Sequence, residues 1–252
     1  MSHWACRSEA GIIKFVLNNM KKIVLLLTFV SSIIAFAQDI NQFDANGKRH
    51  GIWKKNFEGT KQLRYEGEFN HGKEIGLFKF YKLVRKKSVL SATKLFNVND
   101  NSAEVKFLTS RGKTISEGKM VGKTYVGKWT YYHKNSDKVM TIETFDDKGV
   151  LQGERLVYYD NGQLAEKSTY VDGNLEGISE VYSLKGVVLN SLNYVSNELH
   201  GISKSYNGKG ELLVEGNYKK GKKTGVWKYY ENNKLVKEKD FTYIPKRDRV
   251  KN

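Results

Sequence analysis

The 252-residue chain has one cysteine, Cys6, and one proline, Pro245. Cys6 precedes a segment that reads as a removable leader. The mature chain then has no thiol, which excludes a disulfide, a zinc–thiolate site and a cysteine nucleophile. No glycine-rich phosphate loop opens a helix, and neither a Gly-x-Ser-x-Gly elbow nor a His-Glu-x-x-His helix occurs. The chain therefore reads as non-enzymatic, with no catalytic residue, cofactor or metal. Apolar runs are equally scarce. The longest, Ile23–Phe36, has 14 residues and reaches about 21 Å as a helix, against a hydrocarbon core of about 30 Å.

Glycine and aromatic residues are plentiful: 23 Gly, with 12% Phe, Trp and Tyr. Disordered chains are poor in aromatics, and this mixture points to short strands joined by tight turns. The net charge is +16, and beyond residue 37 the chain carries 39 basic and 26 acidic residues. Such a surface attracts polyanions. Most of the cations are lysines scattered along the chain, whereas phosphate recognition favours the arginine fork. Nucleic acid is not an expected partner, and a solvated Lys-rich face that protects sheet edges accounts for the charge.

From Met20 the sequence reads MKKIVLLLTFVSSIIAFAQDI. Lys21 and Lys22 form a basic n-region, Ile23–Phe36 an apolar h-region, and Ala35-Phe36-Ala37 a small-x-small cleavage site. The expectation is a signal peptide over 20–37, cut after Ala37, and export to the periplasm, the outer-membrane surface or the medium. Residues 1–19 read as an upstream extension, with Met20 the natural start.

The rest is periodic. A glycine opening an aromatic strand recurs at Gly51, Gly76, Gly127, Gly153, Gly177, Gly201 and Gly225, at intervals of 24–26 residues with one double interval. Eight units result, one of them degenerate around 82–107. Two residues after this anchor stand Trp53, Phe78, Trp129 and Trp227, with Ser179 and Ser203 in weaker copies. Five residues after it stand Tyr81, Tyr132, Tyr182, Tyr206 and Tyr230. Asn-Gly turns and their relatives, such as Asp160-Asn161-Gly162, Glu58-Gly59, Arg111-Gly112, Asn207-Gly208 and Asn232-Asn233, separate the aromatic strand from the next apolar one. Each unit reads as a β-hairpin, and a lone hairpin cannot bury its aromatic face while stacked neighbours can. The fold class is all-β: an elongated antiparallel sheet of about eight stacked hairpins and up to sixteen strands. The Trp and Tyr columns are core ladders first and a ligand surface second.

The pattern G-K-x-x-G-x-W-x-x-Y-Y, then N-G-x-L, then x-E-G-x-Y-x-x-G-K resembles the MORN (membrane occupation and recognition nexus) repeat, in the bacterial variant found in YwqK-type antitoxins. Its best copies are GKKTGVWKYYENNKLVKE (221–238), GKTYVGKWTYY (122–132) and YYDNGQLAEKSTYVDGNLEG (158–177), and the lead-in NQFDANGKRHGIW (41–53) is similar to the start of exported members. The resemblance covers residues 41–241. It organises the chain as a lead-in (38–46), a repeat domain (47–241) and a basic tail (242–252). The segment KLVRKKSVLSATKLFNVNDNSAEVKF (82–107) departs from it, lacking both the anchor glycine and the tryptophan, and is the place to expect a bend or a specialised patch.

Two other patterns bear on chemistry. His50, His71, His133 and His200 are spread over separate units, which argues against a shared metal site. Glu66, Glu117, Glu143 and Glu215 stand ten residues before an anchor, and Glu166 eleven before. A repeated carboxylate column is what a solvent face opposite cross-strand lysines looks like. The resemblance implies a protein-binding or scaffold module, with a secreted toxin among the candidate partners. The alternative is docking of the Lys-rich face on anionic lipid or envelope polysaccharide.

Overall fold

The computed structural model describes residues 39–242. The upstream stretch, the signal segment and all but the first residue of the basic tail lie outside the described residues. The chain divides into Met1–Ile40 and Asn41–Asn252, and the sheet belongs to the second unit.

Its strands are β1 (Gln42–Phe43), β2 (Arg49–Asn56), β3 (Leu63–Asn70), β4 (Lys73–Val84), β5 (Lys87–Phe96), β6 (Ser102–Leu108), β7 (Thr114–Val121), β8 (Thr124–Tyr132) and β9 (Val139–Phe145). They continue as β10 (Gly153–Tyr158), β11 (Leu164–Val171), β12 (Asn174–Leu175), β13 (Gly177–Tyr182), β14 (Val188–Val195), β15 (Glu198–Tyr206), β16 (Leu212–Lys219), β17 (Lys222–Glu231) and β18 (Lys234–Asp240). No helix occurs among the described residues. Pairing is antiparallel throughout and follows chain order, with β11 meeting both the short β12 and β13. The result is an open meander of 18 strands. Sixteen are the expected hairpin strands. β1 comes from the lead-in, and β12 is the piece of a strand cut off by the anchor Gly177.

Why the anchor is glycine follows from the backbone. Gly76, Gly127 and Gly225 sit near φ +65°, in the left-handed region that a Cβ disfavours. The strand register slips beside them, between Glu66 and Glu68, between Gly118 and Lys119, and between Glu215 and Asn217. Each anchor is therefore a β-bulge that re-aims the side chains around it. The degenerate unit has Ala103 at this place, and there β5 and β6 pair from Ala92↔Phe107 to Phe96↔Ala103 without a slip. The sheet runs through this region uninterrupted, with β4, the longest strand of the meander, joined to β5 by a tight Arg85–Lys86 turn.

One face, here called the ring face, carries the core. Trp53, Phe78, Trp129 and Trp227 are buried on it, with Trp129 fully enclosed. Three of these rings, Phe78, Trp129 and Trp227, lie on a glycine of the preceding strand. A Cβ placed on Gly67 would stand 2.4 Å from the Phe78 ring, one on Gly118 2.6 Å from Trp129, and one on Gly216 2.3 Å from Trp227. The residue two before the anchor closes the other side: Arg49 lies 4.9 Å over Trp53, Tyr125 stacks 3.8 Å from Trp129, and Lys223 lies 4.0 Å over Trp227. The indole N–H groups donate to backbone carbonyls beside the bulges: Trp129 to Lys119 at 3.0 Å and Trp227 to Asn217 at 3.2 Å. A one-layer sheet thus encloses its tryptophans through rows of its own neighbours.

Candidate functional site

The two aromatic columns part company in the structure. They are offset by three residues, an odd number, so they fall on opposite faces of the sheet. Trp53, Phe78, Trp129 and Trp227 are buried on the ring face. Tyr81, Tyr132, Tyr182 and Tyr230 reach the other face, where each hydroxyl donates to a glutamate. Tyr81 meets Glu66 at 2.8 Å, Tyr182 meets Glu180 at 2.6 Å, Tyr230 meets Glu215 at 2.7 Å, and Tyr132 meets Glu117. Tyr206 is half-buried, and Ser191 stands where the glutamate would be.

These glutamates belong to a row that crosses the whole sheet. Starting at β2 it reads Lys54, Glu66, Lys79, Thr93, Lys106, Glu117, Thr130 and Ile142. It continues as Leu156, Lys167, Glu180, Ser191, Lys204, Glu215, Lys228 and Glu238. Each residue is the direct antiparallel partner of the next, about 4.8 Å away. Opposite charges adjoin over Lys54–Glu66–Lys79, Lys106–Glu117, Lys167–Glu180 and Lys204–Glu215–Lys228–Glu238, separated by the uncharged Thr93, Thr130, Ile142, Leu156 and Ser191. Lys54 and Lys79 stand 3.6 and 3.5 Å from Glu66, Lys106 2.8 Å from Glu117, and Lys204 3.9 Å from Glu215.

The neighbourhood sets the acidities. The hydrogen bond from Tyr81, with help from Lys79 and Lys54, holds the Glu66 carboxyl below its ordinary range. Glu117 is held down first by Lys106 and then by Tyr132. Burial, reinforced by Glu66, pushes the Tyr81 phenol up to about 12, and the Glu117 hydrogen bond does the same for Tyr132. Glu66 and Glu117 are thus ionised, and Tyr81 and Tyr132 neutral, at neutral pH.

The expected glutamate column is only partly right. Glu66, Glu117 and Glu215 lie on the ladder face opposite lysines, but Glu143 and Glu166 lie on the ring face. Glu143 is directly opposite Trp129, at the place of the glycines. The unit between Gly127 and Gly153 is longer than its neighbours, and a one-residue change of register exchanges the faces of every side chain. Arg155 occupies the ring position there and joins the two carboxylates, with Nε 3.1 Å from Glu143 and Nη1 3.1 Å from Glu166. Ser168 donates to Glu166 at 2.8 Å and lies 3.1 Å from Ser179. At β9–β11 the sheet is inside out, with ions on the ring face and Ile142 and Leu156 on the ladder face.

The histidines also differ from expectation. His50 and His71, from adjoining hairpins, have ring centroids 4.7 Å apart, and His71 Nδ1 lies 2.6 Å from Asp44. Among the described residues, no group of three or more His, Cys, Asp or Glu is placed to hold a metal ion.

Three shallow clefts open on the ladder face, each with one of the ring-bearing glycines in its floor. One of about 330 Å³ lies between Ile52 and Leu77 over Gly67, and one of about 240 Å³ between Ile202 and Val226 over Gly216. The third, about 440 Å³, spans the degenerate unit from Leu77 and Leu95 to Lys128 and Thr130. The walls are residues that directly follow an anchor, thrust outward by the bulge. The sequence carries this signal as the column Leu77, Ile178, Ile202 and Val226, all exposed aliphatics. It is recognisable only once the anchor is known to be a bulge.

No curated protein matches the chain. Among solved structures, one match is a crystal structure of a S. aureus TarM mutant in complex with fondaparinux, alpha-GlcNAc-glycerol and UDP. It is 12% identical, with a TM-score of 0.30, and the match covers 49% of this chain and 21% of that one. The chain therefore spans about a fifth of that protein's length. Residues 151–172 and 199–220, the hairpins β10–β11 and β15–β16, match the family model of the MORN repeat variant.

Proposed function

We propose that this chain is an exported, non-enzymatic repeat protein that binds another protein along its ladder face. The observation that supports this reading most is the continuous row from Lys54 to Glu238, one side chain per full strand, in which runs of alternating charge are separated by uncharged residues. Such a row gives a partner register and orientation more than raw affinity. The flanking aliphatics and clefts supply the apolar contacts that charge pairs lack. The repeats that match the MORN variant fit a protein-binding role, and an antitoxin-like partnership with a secreted toxin is the finer form of the same reading. Docking on an anionic surface draws less support, because Lys54, Lys79, Lys106 and Lys204 already face glutamates.

Photo-crosslinking residues at Lys79 and Lys204, compared with Tyr170 and Tyr194 on the ring face, test this in the producing cell. A discrete protein adduct from the ladder positions, surviving about 1 M salt where the screening length is about 3 Å, is the expected result. Adducts only to lipid or polysaccharide, lost at that salt, would overturn it. Sequencing the mature N-terminus tests export: the first residue should be Gln38, and intact peptides from residues 1–37 would contradict it.

A further inference from the structure

Resting on the ladder-face reading, we infer that the cleft over the degenerate unit is the partner's anchoring point. We further infer that it takes one large apolar side chain with a basic and then an acidic group beyond it on one side. Three observations meet there. First, Leu77 and Leu95 are direct cross-strand partners on β4 and β5, and they are 52% and 53% exposed. Elsewhere along the same line, Ile178, Ile202 and Val226 are each followed on the next strand by a polar residue: Asn193, Asn217 and Asp240. The same cross-strand pairing holds in those units, so the second leucine is a difference of side chain at one place and not of register.

Second, Thr93 stands in the ladder row between Lys79 and Lys106, where the hairpins on either side carry Glu66 and Glu117 next to their lysines. The substitution removes a charge from the cleft floor, which suits an apolar guest. The cleft of about 440 Å³ lies in the range of sites that hold small ligands or interface anchors, roughly 300–1,000 Å³.

Third, the mouth is polarised. Glu104 on β6 and Lys128 on β8 both line it; Glu104 has Lys119 as its direct cross-strand partner, with no ion pair within 4.0 Å for either residue among those described. These strands are two spacings apart, about 10 Å. The partner chain complementary to this order places its bulky side chain on Leu77 and Leu95, then a basic residue toward Glu104 and beyond it an acidic one toward Lys128. Lys79 and Lys106, by contrast, are occupied by Glu66 and Glu117.

A displayed random-peptide library panned on the mature chain is the probe. The expected consensus is a large aliphatic or aromatic residue with a basic and then an acidic residue on one side of it. Leu95→Asp should weaken the selected peptides at least tenfold, while Ile178→Asp, equally exposed on the same face, should leave them unchanged. Melting curves of both variants should match the parent, since both positions are solvated. Lys128→Glu, which leaves the leucines in place, should exchange the preferred acid for a base. Peptides that bind the ladder face but ignore Leu95→Asp and lose binding with Ile178→Asp would overturn the anchoring cleft while leaving the ladder-face reading intact. Selected peptides insensitive to both substitutions, or no enrichment at all, would overturn both.

Discussion

The unit built on Gly118 and Trp129 and the unit built on Ser168 and Ser179 occupy equivalent places in one sheet and are filled in opposite ways. In the first, an indole lies flat on a glycine, is covered by Tyr125 and is fully enclosed. In the second, two serines meet at 3.1 Å and the ring is absent. The same coupling recurs along the chain: Gly67 with Phe78 and Gly216 with Trp227, against Leu192 with Ser203. A ring at one position requires the absence of a Cβ at the other, because the two strands are too close for both. The exception is Arg155 opposite Glu143, where the pair is ionic instead of apolar. Core volume in this sheet is conserved pairwise, across neighbouring strands, and not residue by residue.

The largest test of that comparison is Trp129→Ala, which should cost about 3 kcal/mol or more. Ser179→Ala removes one hydrogen bond and should cost about 1 kcal/mol. Denaturant titration of both variants measures the contrast, and equal losses would break it. Gly118→Ala places a methyl against the Trp129 ring and should cost about 1–3 kcal/mol. Adding Trp129→Ser, which imitates the serine unit, should make the double variant less unstable than the sum of its parts.

Arg155→Ala leaves Glu143 and Glu166 facing each other without a cation. Its side chain is about a quarter exposed, so the loss should fall between buried and surface pairs, at about 1–2 kcal/mol. Replacing Arg155 by Trp together with Glu143 by Gly should restore a ring-on-glycine unit and recover that loss.

The ladder face should respond to pH at both ends. Tyr81 and Tyr132 have phenols raised to about 12. Their contribution is complete below the ordinary value of 10 and is lost as pH rises from there toward 12. Glu66 and Glu117 are lowered from 4.5, so their contribution is complete above that value and fades as pH falls through the folded pKa. Melting temperature against pH, compared with Glu117→Gln, should show both limbs in the parent and a weaker acid limb in the variant. The smallest effect belongs to Lys106→Ala, a solvent-facing pair, at a few tenths of a kcal/mol.

The sequence by itself determined the period, the hairpins, the all-β class and the identity of the core tryptophans. Those follow from local rules: glycine at left-handed φ, turn chemistry, and aromatic side chains that a lone hairpin leaves exposed. Even the separation of Trp129 and Tyr132 onto opposite faces is legible in their odd spacing. Only the tertiary structure decided what register controls. It showed that Gly118 is the seat of a ring in the next strand and that Glu143 faces inward while Glu117 faces outward. It joined sixteen side chains, eleven of them lysines and glutamates, through fifteen strand pairings into one row. The physical reason is that a single bulge or an extra residue, invisible as composition, shifts pairing by one place and thereby exchanges the two faces of the sheet.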